Sequence, residues 1–73
     1  MRYELGRCLL RIRLQERGLK QQDIVDSLGY RKSEISEYAN NKRIMSIEVA
    51  INIAKFLMCS VEDLYQIHKR SGE

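Results

Sequence analysis

Residues 28–42 read LGYRKSEISEYANNK. Between the glycine and the paired asparagines lies a segment of helical character with few side chains suited to a core. Ile35 and Tyr38 are three apart with Ala39 beside them, so they can share one narrow face. Arg31, Lys32, Ser33, Glu34 and Glu37 are left for the outer face. A helix so polar is either solvated surface or a surface that reads another molecule, and the flanking sequence decides which.

Upstream, Ile24, Val25 and Leu28 fall on one face of a segment over about 21–28, with Asp23 early, where the helix dipole favours an acid. Gly29 supplies its stop. The polar helix then spans about 32–39, with Ser33 in its first turn, and the tolerance of asparagine for the left-handed conformation ends it at Asn40–Asn41. Further toward the N-terminus, Leu5, Cys8, Leu9 and Ile12 recur at helical spacing, with Leu10 and Leu14 as a second row. The spacing predicts a helix over about 3–17, stopped by Gly18 and anchored by Leu19. Downstream, Ser46 caps a helix over about 46–57 whose broad apolar face takes in Ile47, Ala50, Ile51, Ala54, Leu57 and Met58. Ser60 and Asp63 repeat the start signal, and Val61, Leu64, Tyr65 and Ile67 suggest a fifth helix over about 61–69. The expectation is an all-α, five-helix single domain over residues 1–73.

Bulk properties narrow the function. Seventy-three residues with 44% apolar content and no proline suit one small helical domain. No apolar run approaches the ~20 residues that span a bilayer. The opening MRYELGRCLLRIR interrupts its apolar residues with charge, unlike a secretory signal, so a cytoplasmic protein is expected. Cys8 and Cys59 lie far apart and the chain has one histidine, so no metal site or other cofactor is expected. Catalysis is not expected either, because His68 sits near the end and no glycine-rich phosphate loop is present. The net charge is only +3, but residues 1–20 carry six basic and two acidic side chains, while residues 46–65 carry one basic and three acidic. That asymmetry fits a polyanion partner.

Two short helices joined through a glycine, the second too polar for a core, form a helix-turn-helix pattern, in which the second helix enters the DNA major groove. The stretch GLKQQDIVDSLGYRKSEISEYANNKRIMSIEVAINIAKFLMCSVEDLY also resembles the Xre/Cro–cI family of phage repressors and bacterial regulators. The landmarks are Gly18–Leu19, Gln21, Gly29, Ile35, Tyr38, Asn40, Lys42–Arg43, Ser46, Ile53–Ala54–Lys55 and the closing SVEDLY. The resemblance implies a lambda-repressor-like fold and a nucleoid-associated regulator, a repressor in the leading reading, that binds double-stranded operator DNA as a homodimer. No small-molecule ligand and no membrane are expected as partners. By residue, it implies base contacts from Arg31, Lys32, Ser33 and Glu37, with a lysine suited to guanine and a carboxylate to cytosine. It implies backbone contacts from Gln21 at the start of helix 2 and from Asn40, Lys42 and Arg43 after helix 3. Two features depart from the family pattern. Ala39 stands where many members have an acid that pairs with a basic residue in helix 1, and Glu34 and Glu37 put two negative charges on the face meant for DNA. The acidic pair supports an alternative, a protein-interaction module of the same fold acting as an antitoxin or anti-repressor on a protein partner.

Overall fold

The computed structural model describes residues 2–70. In chain order they form β1 (Arg2–Cys8), α1 (Leu10–Glu16), α2 (Gln21–Leu28), α3 (Lys32–Ala39), α4 (Ile47–Leu57), a single 3₁₀ turn (Val61–Leu64) and β2 (Tyr65–Arg70). The strands pair antiparallel as a two-stranded ribbon, with Tyr3 opposite Lys69, Glu4 opposite His68 and Leu5 opposite Ile67. The helical body closes on one core cluster whose fully buried members are Leu10, Ile24, Ile35, Ile53, Leu57 and Leu64. Burying side chains of this size contributes about 1.5–3 kcal/mol each.

The middle of the chain follows its sequence signals closely. Gly18 and Gly29 adopt φ of +66° and +81°, so a glycine stop follows each of the first two helices. Asn41 takes φ +63° after α3. The Ser46 hydroxyl accepts from the Val49 N–H at 3.2 Å, capping α4. α3 buries Ile35, Tyr38 and Ala39, the same narrow face that its sequence spacing marks out.

Both ends of the chain differ from the five-helix, all-α expectation. The helix expected over 3–17 is the strand β1 followed by the shorter α1, whose buried residues are Leu10 and Leu14, while Leu5 and Ile12 are exposed. The helix expected over 61–69 is one 3₁₀ turn followed by β2. The physical reason is that Tyr3 with Leu5, and Tyr65 with Ile67, also stand two apart, a spacing that suits a strand. Pairing the two ends satisfies both backbones together, which neither segment can signal locally. Gly6 belongs to this arrangement, because a Cβ there would lie 2.5 Å from His68 Nε2 and 2.8 Å from the Gln66 Cβ. The ladder shifts register between Leu5 and Cys8, where a bulge accommodates the close approach. Bonds between residues distant in sequence then fasten the ribbon's base to the helices. The Cys8 N–H donates to Asn41 Oδ1 at 2.8 Å, and the Leu9 N–H donates to the Leu64 carbonyl at 2.7 Å. The Tyr65 hydroxyl accepts from the Met45 N–H at 3.2 Å.

The broad apolar face expected on the fourth helix is divided. Ala50, Ile53, Ala54 and Leu57 face the core, whereas Ile47, Ile51 and Met58 are exposed. No helix among the described residues is long and apolar enough to cross a membrane.

Candidate nucleic-acid interface

α2 and α3 pack against each other through the glycine turn, and α3 presents its polar side outward. Arg31 is its N-cap residue, with extended backbone (φ −72°, ψ 142°), and Lys32 and Ser33 fill the first turn. All three are exposed, and no hydrogen bond or ion pair among the described residues engages their side chains. Lys42 is likewise exposed and uncommitted among those residues. Gln21 stands at the first position of α2, half-buried, beside the free N–H groups of that helix start. The Lys20 N–H is taken up by Asp23 Oδ2 at 2.7 Å.

Glu34 and Glu37 are not free acids. Arg43 Nη1 lies 3.8 Å from Glu34 Oε2, and Arg43 Nε lies 3.5 Å from Glu37 Oε1. One guanidinium from the following loop thus bridges the two carboxylates on α3. Glu34 also accepts a hydrogen bond from the Tyr38 hydroxyl at 3.1 Å. Burial pushes the Tyr38 phenol above its ordinary range, with the Glu34 carboxylate adding to the shift. Arg31, Ser33, Glu34, Glu37 and Arg43 together line a shallow concavity of about 320 Å³. Six charged side chains therefore surround α3, four cationic (Arg31, Lys32, Lys42, Arg43) and two anionic, with both anions paired.

Asn40 is exposed, but its amide is already committed to partners within the chain. Its Oδ1 accepts from Arg11 Nη2 at 2.6 Å, and its Nδ2 donates to Ser36 Oγ at 3.2 Å. This clasp joins α1 to the end of α3 and brings Arg11 beside the loop of Lys42 and Arg43. Sequence reasoning missed Arg11, and its only signal was a basic residue on the outer side of the first helix. The absent ion pair at Ala39 is compensated nearby. Ala39 is buried, and Arg13 turns instead to the Asp63 carbonyl at 2.8 Å and to Glu16 at 3.2 Å. The two thiols take no part in this face. Cys8 is buried, Cys59 is half-buried, and burial raises both above their ordinary range.

A family model described as Helix-turn-helix matches residues 9–64, which is the helical body without either strand of the ribbon. The chain is also 31% identical over 67 residues to the SPbeta prophage-derived HTH-type transcriptional regulator YopS of Bacillus subtilis, covering 90% of each chain.

Proposed function

The chain belongs to the Cro/cI-type helix-turn-helix family of DNA-binding transcriptional regulators, and on that premise we propose that it is a repressor that seats α3 in the major groove of a two-fold operator. The observation that carries this reading is the outward face of α3. Three buried side chains hold the helix, and Arg31, Lys32 and Ser33 stand exposed and uncommitted at its leading end. A major groove about 12 Å wide admits a helix in this orientation.

In this reading residues 1–73 act as one operator-binding domain. Lys32 and Arg31 donate to guanine O6 and N7, Ser33 serves base or phosphate, and Glu37 accepts from cytosine N4. Gln21 and the start of α2 hold a phosphate, while Lys42 and Arg43 contact the backbone after α3. Asn40 acts there through Arg11, which it holds at the same rim. Three such cations per protomer, doubled by a two-fold dimer, give a salt slope of about −5 in log K against log salt. The pairing of both acids with Arg43 favours DNA over a protein partner, because it offsets half of the negative charge on which the antitoxin reading rests.

Selection from random-sequence duplex pools at two salt concentrations tests the proposal. One enriched, roughly palindromic motif with half-sites about ten base pairs apart supports it. Lys32→Glu is expected to abolish that enrichment. Retention that is salt-sensitive yet blind to sequence refutes the assigned reading role of α3.

A further inference from the structure

α4 is apolar on two sides, and only one of them is used by the fold. Ala50, Ile53, Ala54 and Leu57 face the core. Around the helix, Ile47 and Ile51 stack one turn apart at 69% and 39% exposure, Lys55 extends the same row, and Met58 follows at 89%. Ile44, in the loop that leads into α4, is 69% exposed. Exposed aliphatic residues scattered singly are ordinary, but Ile47 and Ile51 on α4, with Ile44 before the helix and Met58 at its C-cap, make one run of exposed apolar side chains along an unpartnered face.

Two further features say what covers it. Glu48 and Lys55 flank the row from opposite ends of the helix. A second α4 laid parallel would set Glu48 beside Glu48 and Lys55 beside Lys55. Laid antiparallel, it sets each Glu48 beside the partner's Lys55. The row is therefore complementary in charge to its own reversed copy. Met58 adds a backbone observation. It takes φ +58°, ψ 44°, with the Cys59 N–H bonded to the Ala54 carbonyl and the Met58 N–H to the Lys55 carbonyl, the arrangement that usually places glycine at this position. A large thioether in that conformation carries a backbone penalty and projects into solvent in the single chain.

We propose that the outer row of α4 is the contact with a second copy of this chain, packed antiparallel about a two-fold axis through Ile51. Ile51 then meets its own mate, Ile47 and Glu48 lie beside the partner's Lys55, and Ile44 approaches the partner's Met58. The contact is isologous, with the same patch used on both copies. It rests on the reading of a two-fold operator, to which it supplies the protein's own two-fold axis, and it leaves the outward face of α3 uncovered.

The experiment measures self-association of the full chain by sedimentation equilibrium, together with binding to duplexes carrying one or two half-sites. The wild-type chain is expected at twice its 8.6 kDa mass, or as cooperative pairs on the two-site duplex. Ile51→Lys is expected to weaken self-association at least tenfold and to remove cooperativity while single-site binding persists. Glu48→Lys should weaken it, and the double exchange Glu48→Lys with Lys55→Glu should restore it. All these positions are exposed, and urea unfolding verifies that each variant folds. Full self-association in Ile51→Lys, no rescue by the charge exchange, or a monomeric wild type without cooperativity overturns the inference even if single-site binding is intact. Loss of self-association in Leu5→Lys alone also overturns it, by moving the contact to the apolar side of the ribbon. Self-association through α4 with no DNA retained sustains this contact and refutes the operator reading instead.

Discussion

Replacing both Glu34 and Glu37 by glutamine perturbs the charge on α3 with little change in shape. The amide introduced by Glu34→Gln keeps an oxygen that can accept from the Tyr38 hydroxyl, so the anchoring of the helix is preserved. Each carboxylate lies 3.5–3.8 Å from the Arg43 guanidinium, and the side chains retain 27–54% exposure. A charge pair at that separation is worth about 1 kcal/mol in a water-like dielectric before screening, and exposed pairs deliver roughly 0.2–1 kcal/mol. With two such pairs lost, folding stability should fall by no more than about 2 kcal/mol. DNA binding should change more, and in opposite directions for different DNA. Removing two negative charges strengthens the contact that Arg43 already makes and takes away repulsion of the neighbouring phosphates, which steepens the salt slope by up to about 0.9 per protomer. Sequence-blind binding at moderate salt should tighten roughly threefold to tenfold, equivalent to about 0.7–1.4 kcal/mol in all. Binding to the selected operator should lose about 1–3 kcal/mol per half-site if Glu37 accepts from cytosine N4. Fluorescence anisotropy on the selected duplex and on a scrambled one, across a salt series, reads both quantities. A double variant with unchanged slope and unchanged affinity for both duplexes would refute the placement of this charge cluster against DNA.

Other outcomes follow from the fold. Ile35→Ala removes the central anchor of α3 at a fully buried site, with an expected loss of about 2–5 kcal/mol in urea unfolding and loss of DNA retention with it. Gly29→Ala meets open space, since nothing lies within 4 Å of an added Cβ, so its effect is confined to the backbone at φ +81°. About 1–2 kcal/mol should disappear with the urea m-value unchanged. Burial raises both thiols, so alkylation should be slow at neutral pH and accelerate only as pH climbs past the ordinary cysteine range. Cys59 should react ahead of the more deeply buried Cys8, as timed by mass spectrometry.

The middle of the molecule was legible because its signals are local. Gly18, Gly29, Asn41 and Ser46 each act within a few residues through a left-handed turn or a side-chain cap; α2, α3 and α4 run where the sequence places them, and Gly18 marks the end of α1 though not its start. The ends were not legible because their structure depends on pairing across more than sixty residues. Leu5, Leu9 and Ile12 satisfy a helical spacing as well as Tyr3 and Leu5 satisfy a strand, and only the opposite segment 65–70 decides between them. The family match gives no help there, since the matched region, 9–64, lies between the two strands and stops just before β2 begins at Tyr65. On the site, the residue types and their exposure were readable, but the Arg43 bridge was not. It joins a loop to two positions on α3 and leaves no mark in helical periodicity.

That bridge changes what two acids on the outward face of α3 mean for the proposed operator reading. Tyr38 is buried, and its hydroxyl holds Glu34 in place; Glu34 in turn helps to hold Arg43, which reaches Glu37. The raised phenol stays protonated throughout the neutral range, so it remains a donor to Glu34 wherever the carboxylate is ionised. A free glutamate or arginine on a surface gives up as much as about 2 kcal/mol of rotamer freedom when it is fixed against a partner. Here part of that ordering is already present in the unbound chain, from the core outward. Under the proposed reading, Glu37 would then discriminate between bases at a smaller entropic penalty, while the paired guanidinium lessens the repulsion of phosphate. The acidic pair is thus compatible with reading DNA because the core fixes one carboxylate and one arginine answers both.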